Sequence, residues 1–89
     1  MKAVITVVGK DRTGIVYHVS KILYENEVNI LDLSQTIMQD YFTMMMLVDC
    51  AEMSCGLEEL INALNVMGEM IGLSIKVQRE DIFDAMHRV

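Results

Sequence analysis

Residues 9–15, Gly-Lys-Asp-Arg-Thr-Gly-Ile, gather the groups of this 89-residue chain best placed to do chemistry: a carboxylate, a guanidinium, an ammonium and a hydroxyl between two glycines. An alternating apolar run from Ala3 to Val8 ends at Gly9, and a helix-period run (Ile15, Val16, Val19, Ile22, Leu23) follows at once. The stretch therefore reads as strand, tight loop and helix start. Asp11 or Thr13 can cap that helix by accepting hydrogen bonds from its first backbone N–H groups. Gly9 and Gly14 lack a Cβ and so permit positive φ or close approach by another chain or a small molecule. N–H groups at a helix start also favour a carboxylate or phosphate. On loop chemistry alone the favoured reading of the same residues is a capped strand-to-helix turn that binds nothing.

The other reactive side chains do not assemble into a second centre. The two cysteines, Cys50 and Cys55, have no Cys or His nearby to complete a metal site, and in a reducing compartment they read as packing thiols. His18 and His87 fall in separate helical stretches, so no set of nucleophile, base and orienting group can be built, and His18 reads as a hydrogen-bonded boundary residue beside Tyr17. Met44, Met45 and Met46 run consecutively, but neighbours along a strand point to opposite faces and cannot converge on one ion. Core and interface packing accounts for them. No cofactor is expected.

Composition narrows the partners. The chain is 53% hydrophobic, contains no proline and carries a formal charge of −6, which places it among single globular domains. Its seven basic residues are scattered, whereas nucleic-acid and anionic-membrane binders cluster them. Neither partner is expected. No run approaches the roughly 20 apolar residues that cross a bilayer, and the start lacks the long apolar stretch of a signal peptide. A cytoplasmic location is the expectation.

The elements that must hold the loop follow from periodicity. The spacing predicts a strand over about 2–8, a helix over about 13–26 ending at Asn26, and a second strand opened by Asn29 and running from Ile30 to about Asp40. Along it Leu31, Leu33 and Ile37 oppose Asp32, Ser34 and Thr36. A short turn at Gln39, Asp40 and Tyr41 leads into a third strand over about 42–49. Ser54 is the expected N-cap of a second helix, with Glu58 and Glu59 near its positive end, Leu57, Leu60, Ile61, Leu64, Met67 and Ile71 on its apolar stripe and Gly72 as its C-cap. The fourth strand, over about 73–79, alternates cleanly. Residues 81–89 then place Ile82, Phe83 and Met86 on one side of a short helix, with His87 and Arg88 at its end. Phe83 and Met86 are expected to pack onto the domain of residues 1–80.

The order βαββαβ predicts an α+β, ferredoxin-like sandwich: a four-stranded antiparallel sheet, first and third strands central, both helices on one face, plus the short C-terminal helix. That fold specifies no function. The first strand has no aromatic residue for stacking bases, the first loop has no paired cysteines for a metal, and no general base accompanies Arg12 for acyl-phosphate hydrolysis. Catalysis is not expected. Val4, Val8, Met45 and Leu47 are apolar at the parity that faces away from the helices, which predicts an interface in a symmetric homodimer or dimer of dimers.

Here the chain resembles a known family. The strand, Gly9-Lys-Asp-Arg-Thr-Gly-Ile15, the helix, and Val28-Asn29-Ile30 opening the next strand resemble the ACT domain, a regulatory amino-acid-binding module, over residues 2–79. The closing Asp81-Ile82-Phe83 and Met86-His87-Arg88 are similar to stand-alone ACT proteins of the glycine cleavage system transcriptional repressor type. The resemblance implies non-catalytic, allosteric regulation, with copies paired side by side or face to face and an amino acid bound near the interface. The first loop of one subunit and the start of the second strand of its partner would form the pocket. By position it implies Asp11 and Asn29 as polar contacts and Gly14 as the point of close approach. Arg12, Thr13, Ile15 and Ile30 would complete the site. Thr13 replaces a proline common in the family, Gly9 offers no side chain where some members contribute one, and Asp11 suits an ammonium better than a carboxylate. The alternative is a ligand-free dimeric adaptor that regulates a partner protein, an enzyme or a transcriptional regulator.

Overall fold

The computed structural model describes residues 1–10 and 13–81. Six elements follow in order: β1 (Lys2–Lys10), α1 (Ile15–Glu25), β2 (Asn29–Met38), β3 (Tyr41–Asp49), α2 (Leu57–Ile71) and β4 (Leu73–Arg79). The strands form one antiparallel sheet in the order β2-β3-β1-β4. This is the ferredoxin-like βαββαβ arrangement that the periodicity predicts, with β1 and β3 central. The expected packing of Phe83 and Met86 lies outside the described residues, as do Asp11 and Arg12.

Alternation decides which residues meet the helices. Ala3, Ile5 and Val7 of β1 pair with Val48, Met46 and Met44 of β3, and all six are fully buried. They join Ile15, Val19 and Leu23 of α1 and Leu60 and Leu64 of α2 in one core cluster. Full burial of an aliphatic side chain is worth roughly 1.5–3 kcal/mol, so this cluster dominates the stability of a domain so small. The methionine run divides as strand geometry requires: Met44 and Met46 enter the core, and Met45 is left on the helix-free face. On that face the expected patch is only partly open, because Val4 is buried and Leu47 half-buried, whereas Val8 and Met45 are exposed.

Several boundaries move from their expected places. Ser54 does not cap α2. Gly56 occupies the N-cap, and its N–H donates to the Glu59 carboxylate at 3.3 Å, the returning half of a capping box whose other half a glycine cannot supply. Ser54 instead donates its N–H to the Asn26 carbonyl at 3.0 Å, tying the approach to α2 to the end of α1. Asn26 ends α1 as expected, and its side-chain amide donates to the Ile22 carbonyl at 2.8 Å. Gly72 caps α2 in the left-handed conformation at φ 76°, as expected. The β2–β3 hairpin turns on Gln39 and Asp40 alone, with Gln39 at φ 55°, so Tyr41 belongs to β3. A bulge between Ile30 and Asp32 breaks the simple alternation read along β2: Leu33 and Ile37 keep to the helix face, and Leu31 drops out of the pairing.

Gly68 separates two opposing rules. Exposed helix interiors gain about 1 kcal/mol from Gly→Ala. A Cβ at Gly68, however, would stand 3.0 Å from the Leu73 carbonyl oxygen and 3.2 Å from Ile75 Cδ1, where α2 folds back on β4. Gly68→Ala is expected to lower the melting temperature. A rise of several degrees would show that α2 and β4 are farther apart than described.

Candidate functional site

β1 runs through Gly9 to Lys10, so the loop between strand and helix is shorter than the sequence suggests. Gly9 pairs with Phe42 on one side and Leu73 on the other, and a Cβ there would collide with the Leu73 side chain. The close approach that Gly9 permits is therefore made by the protein's own core. Gly14 meets its expectation differently: it is the N-cap of α1, at φ 89°, and among the described residues no side chain caps the helix. Thr13, offered as a cap by the sequence, is exposed and does not act as one. A left-handed N-cap turns the chain sharply out of the sheet, a conformation open to glycine and costly for other residues.

One residue belongs at this loop that the sequence reading set aside. The His18 N–H donates to the Gly14 carbonyl at 2.9 Å, and the imidazole leans back over Gly14: its Cδ2 and Nε2 would lie 3.8 and 3.9 Å from a Cβ at that position. The Tyr17 ring meets it edge-on, with centroids 5.3 Å apart. Both are exposed. The signal was present in the four-residue spacing from Gly14, because helical side chains lean toward the helix N-terminus.

Ile15 is 2% exposed and packs into the core, so at a ligand only its backbone is available. Asn29 and Ile30, both exposed, open β2. The register sets them far from the loop. Asn29 pairs with Asp49, and Asp49 with Lys2, which places Asn29 beside the start of β1. The loop leaves from Lys10, beside Tyr41 and Met38. At about 3.3 Å per residue the two halves of the expected site stand roughly 26 Å apart within one chain. Asn29 instead lines a cavity of about 380 Å³ with Tyr24, Glu27, Val28 and Glu52. Glu27 there takes φ 57°, in the turn between α1 and β2. Two carboxylates beside an amide suit a cationic group.

A second cavity, of about 330 Å³, is lined by Val4, Met45 and Leu47 with Asp32, Ser34 and Glu80 on the helix-free face, and by Leu33 and Met46, which belong to the helix face. Among the described residues no group of three His, Cys, Asp or Glu side chains could hold a metal ion, and no helix is long and apolar enough to cross a membrane.

The sequence model of the ACT domain matches residues 2–78. The chain belongs to the ACT domain family. ACT domains are regulatory modules, and this one has close relatives of its own length. A UPF0237 protein of Neisseria meningitidis serogroup B is 51% identical over 87 residues, covering 98% of this chain and 97% of the relative. The solved ACT domain protein from Streptococcus pneumoniae superposes with a TM-score of 0.82 at 42% identity, covering 98% of each chain. A structure assigned to a glycine cleavage system transcriptional repressor gives 0.69 at 27% identity, with 86% of this chain matching 43% of that one. The likeness to both kinds of protein agrees with the resemblance carried by the first loop and the closing residues.

The two cysteines of this ACT domain are free. Burial pushes the Cys50 thiol up, a rise opposed by the N-terminal ammonium and reinforced by Asp49 and Cys55. A raised thiol holds less thiolate at a given pH, and thiolate is the reactive form. Mass-resolved alkylation of the native protein at pH 8 is expected to label half-buried Cys55 well before Cys50. Equal rates would show that the end of β3 opens readily.

Proposed function

We propose that this ACT domain is a non-catalytic regulatory module that binds a free amino acid or similar small metabolite at a site shared between two copies of the chain, acting in the cytoplasm. What carries the reading is the separation of the two half-sites: a loop at one end of the sheet and Asn29–Ile30 at the other need a second chain to meet.

The exposed edge of the sheet offers a way for them to do so. β2 is an edge strand, and Ile37 and Met38 on it are 62% and 70% exposed. Natural edges are commonly blunted by lysine or proline, and β2 contains neither. Two copies pairing β2 against β2 about a two-fold axis would run antiparallel. The partner's Asn29 would then stand at the same end of the joined sheet as the first chain's loop. The start of α1 offers N–H groups to a carboxylate, Asp11 offers an acceptor to the ammonium, and Asn29 can both donate and accept. Backbone groups of Arg12, Thr13, Ile15 and Ile30 complete the pocket, with His18 at its side.

A ligand that binds the native pair stabilises it by about 2.7 kcal/mol at one hundred times its dissociation constant. In so small a domain each kcal/mol moves the melting temperature by about 4–8 °C. A thermal-shift screen of the common amino acids at millimolar concentration is expected to give at least one shift of several degrees. Asp11→Ala and Asn29→Ala are each expected to abolish it while leaving the fold and the dimer intact. If no amino acid moves the wild type, the ligand-free adaptor replaces the sensor. A shift that survives both substitutions places the ligand elsewhere.

A further inference from the structure

The connection from β3 to α2, residues 50–56, carries both cysteines of the chain, and neither takes part in the amino-acid site. Cys50 continues the alternation of β3. Phe42, Met44, Met46 and Val48 face the helices, and Cys50, the next residue of that parity, is 6% exposed in the same cluster. Cys55, half-buried, packs against that cluster immediately before Gly56, the N-cap of α2. Both side chains thus belong to the layer between sheet and helices. The chain reverses between them: the Met53 N–H donates to the Cys50 carbonyl at 3.2 Å, and such a turn holds its first and fourth Cα atoms within about 7 Å. Cys55 lies near enough to act electrostatically on Cys50. The connection is also pinned, by the Cys50 N–H on the Met1 carbonyl at 2.8 Å and the Ser54 N–H on the Asn26 carbonyl at 3.0 Å. Among the described residues no third His, Cys, Asp or Glu joins the two thiols in a metal site, so the chemistry they share is oxidation.

We propose that Cys50 and Cys55 are a reversible redox pair, which hydrogen peroxide closes into a disulfide that reshapes the cavity at Asn29. Half-buried Cys55 meets the oxidant first. Its thiolate attacks one peroxide oxygen, the O–O bond breaks, and the departing hydroxide takes up a proton as water, leaving a sulfenic acid on Cys55. The Cys50 sulfur then attacks the Cys55 sulfur, the S–O bond breaks, and the Cys50 proton leaves with the hydroxyl as a second water. Two thiols lose two hydrogens, and one peroxide becomes two waters. Burial keeps Cys50 in the thiol form, in reserve as the resolving sulfur. Thiol–disulfide exchange with a reduced dithiol reverses the step. Transient disulfides of this kind are the ones that persist as sensors in a reducing compartment. Glu52 lies between the two cysteines and lines the cavity at Asn29 with Tyr24 and Glu27. Ser54, also between them, is tied to Asn26 at the end of α1. A disulfide sets its two Cβ atoms about 3.8 Å apart, so closing the ring re-forms the turn that carries Glu52. This chemistry needs no amino acid at Asn29.

Intact-mass spectrometry and heteronuclear amide spectra of the full native chain test the proposal, before and after a low dose of hydrogen peroxide and again after dithiothreitol. Peroxide is expected to remove both free thiols together, to lower the mass of the single chain by two hydrogens and to shift the Asn29 side-chain amide resonances. Dithiothreitol is expected to reverse all three changes. Cys55→Ser is expected to leave Cys50 unoxidised at the same dose, and Cys50→Ser to stop Cys55 at a sulfenic acid that dimedone traps. A product of doubled mass, joined between chains, would overturn the proposal. So would oxygen added to Cys55 while Cys50 stays free, and so would a disulfide that leaves the Asn29 resonances unmoved. These wild-type readings decide the matter whether or not either variant folds.

Discussion

Everything in this domain is referred to β1. It is hydrogen-bonded on both sides, to β3 along its whole length and to β4 from Ala3 to Gly9. One face of it, Ala3, Ile5 and Val7, lies under both helices. A strand held on three sides cannot slip, because a one-residue shift would turn its core residues to the opposite face. Gly9 tightens the constraint further, since only a residue without Cβ lets Leu73 fill the core beside the end of β1. The point at which the loop leaves the sheet is fixed by packing before any ligand is considered.

That fixed point has a functional consequence. The antiparallel order β2-β3-β1-β4 makes β1 and β2 run in the same direction, so the end of one and the beginning of the other are at opposite ends of the sheet. The first loop and Asn29, the two halves of the proposed site, are thus separated by the full length of a strand within one chain. Under that proposal a single copy holds no complete site. Binding that requires two copies couples ligand concentration to assembly, since a ligand can shift an equilibrium only by its preference for one state over another. Regulation then needs no moving part inside the domain.

The architecture was legible in the sequence because period-two and period-3.6 patterns are clean over Ala3–Val8, the α1 and α2 stripes and the fourth strand. Asn26 and Gly72 were legible as helix ends because their backbone chemistry suits those positions. The helix starts were misread for a related reason. Thr13 and Ser54 have good capping side chains, but the chain places Gly14 and Gly56 at the caps, where backbone geometry and the Glu59 carboxylate do the work. Gly9 was taken for a loop residue because glycine marks turns more often than it marks a tight sheet-to-core contact. The bulge at Leu31 was invisible, since an extra residue in one strand leaves no trace in composition. For the site, residue types could be read locally and the distance between Asn29 and the loop could not, because that distance exists only once the strands are paired.

Subunit complementation tests the shared site most directly. Asp11→Ala and Asn29→Ala chains are prepared separately, each unable to bind the amino acid that shifts the wild type, then mixed, allowed to exchange partners and titrated calorimetrically. In a mixed pair one site collects both substitutions, and the other joins an intact loop to an intact Asn29. The account predicts that mixing restores binding at wild-type affinity with a stoichiometry of about one site per mixed dimer. If mixing restores nothing although the chains exchange, both residues act within a single chain or not at all, and the account is wrong.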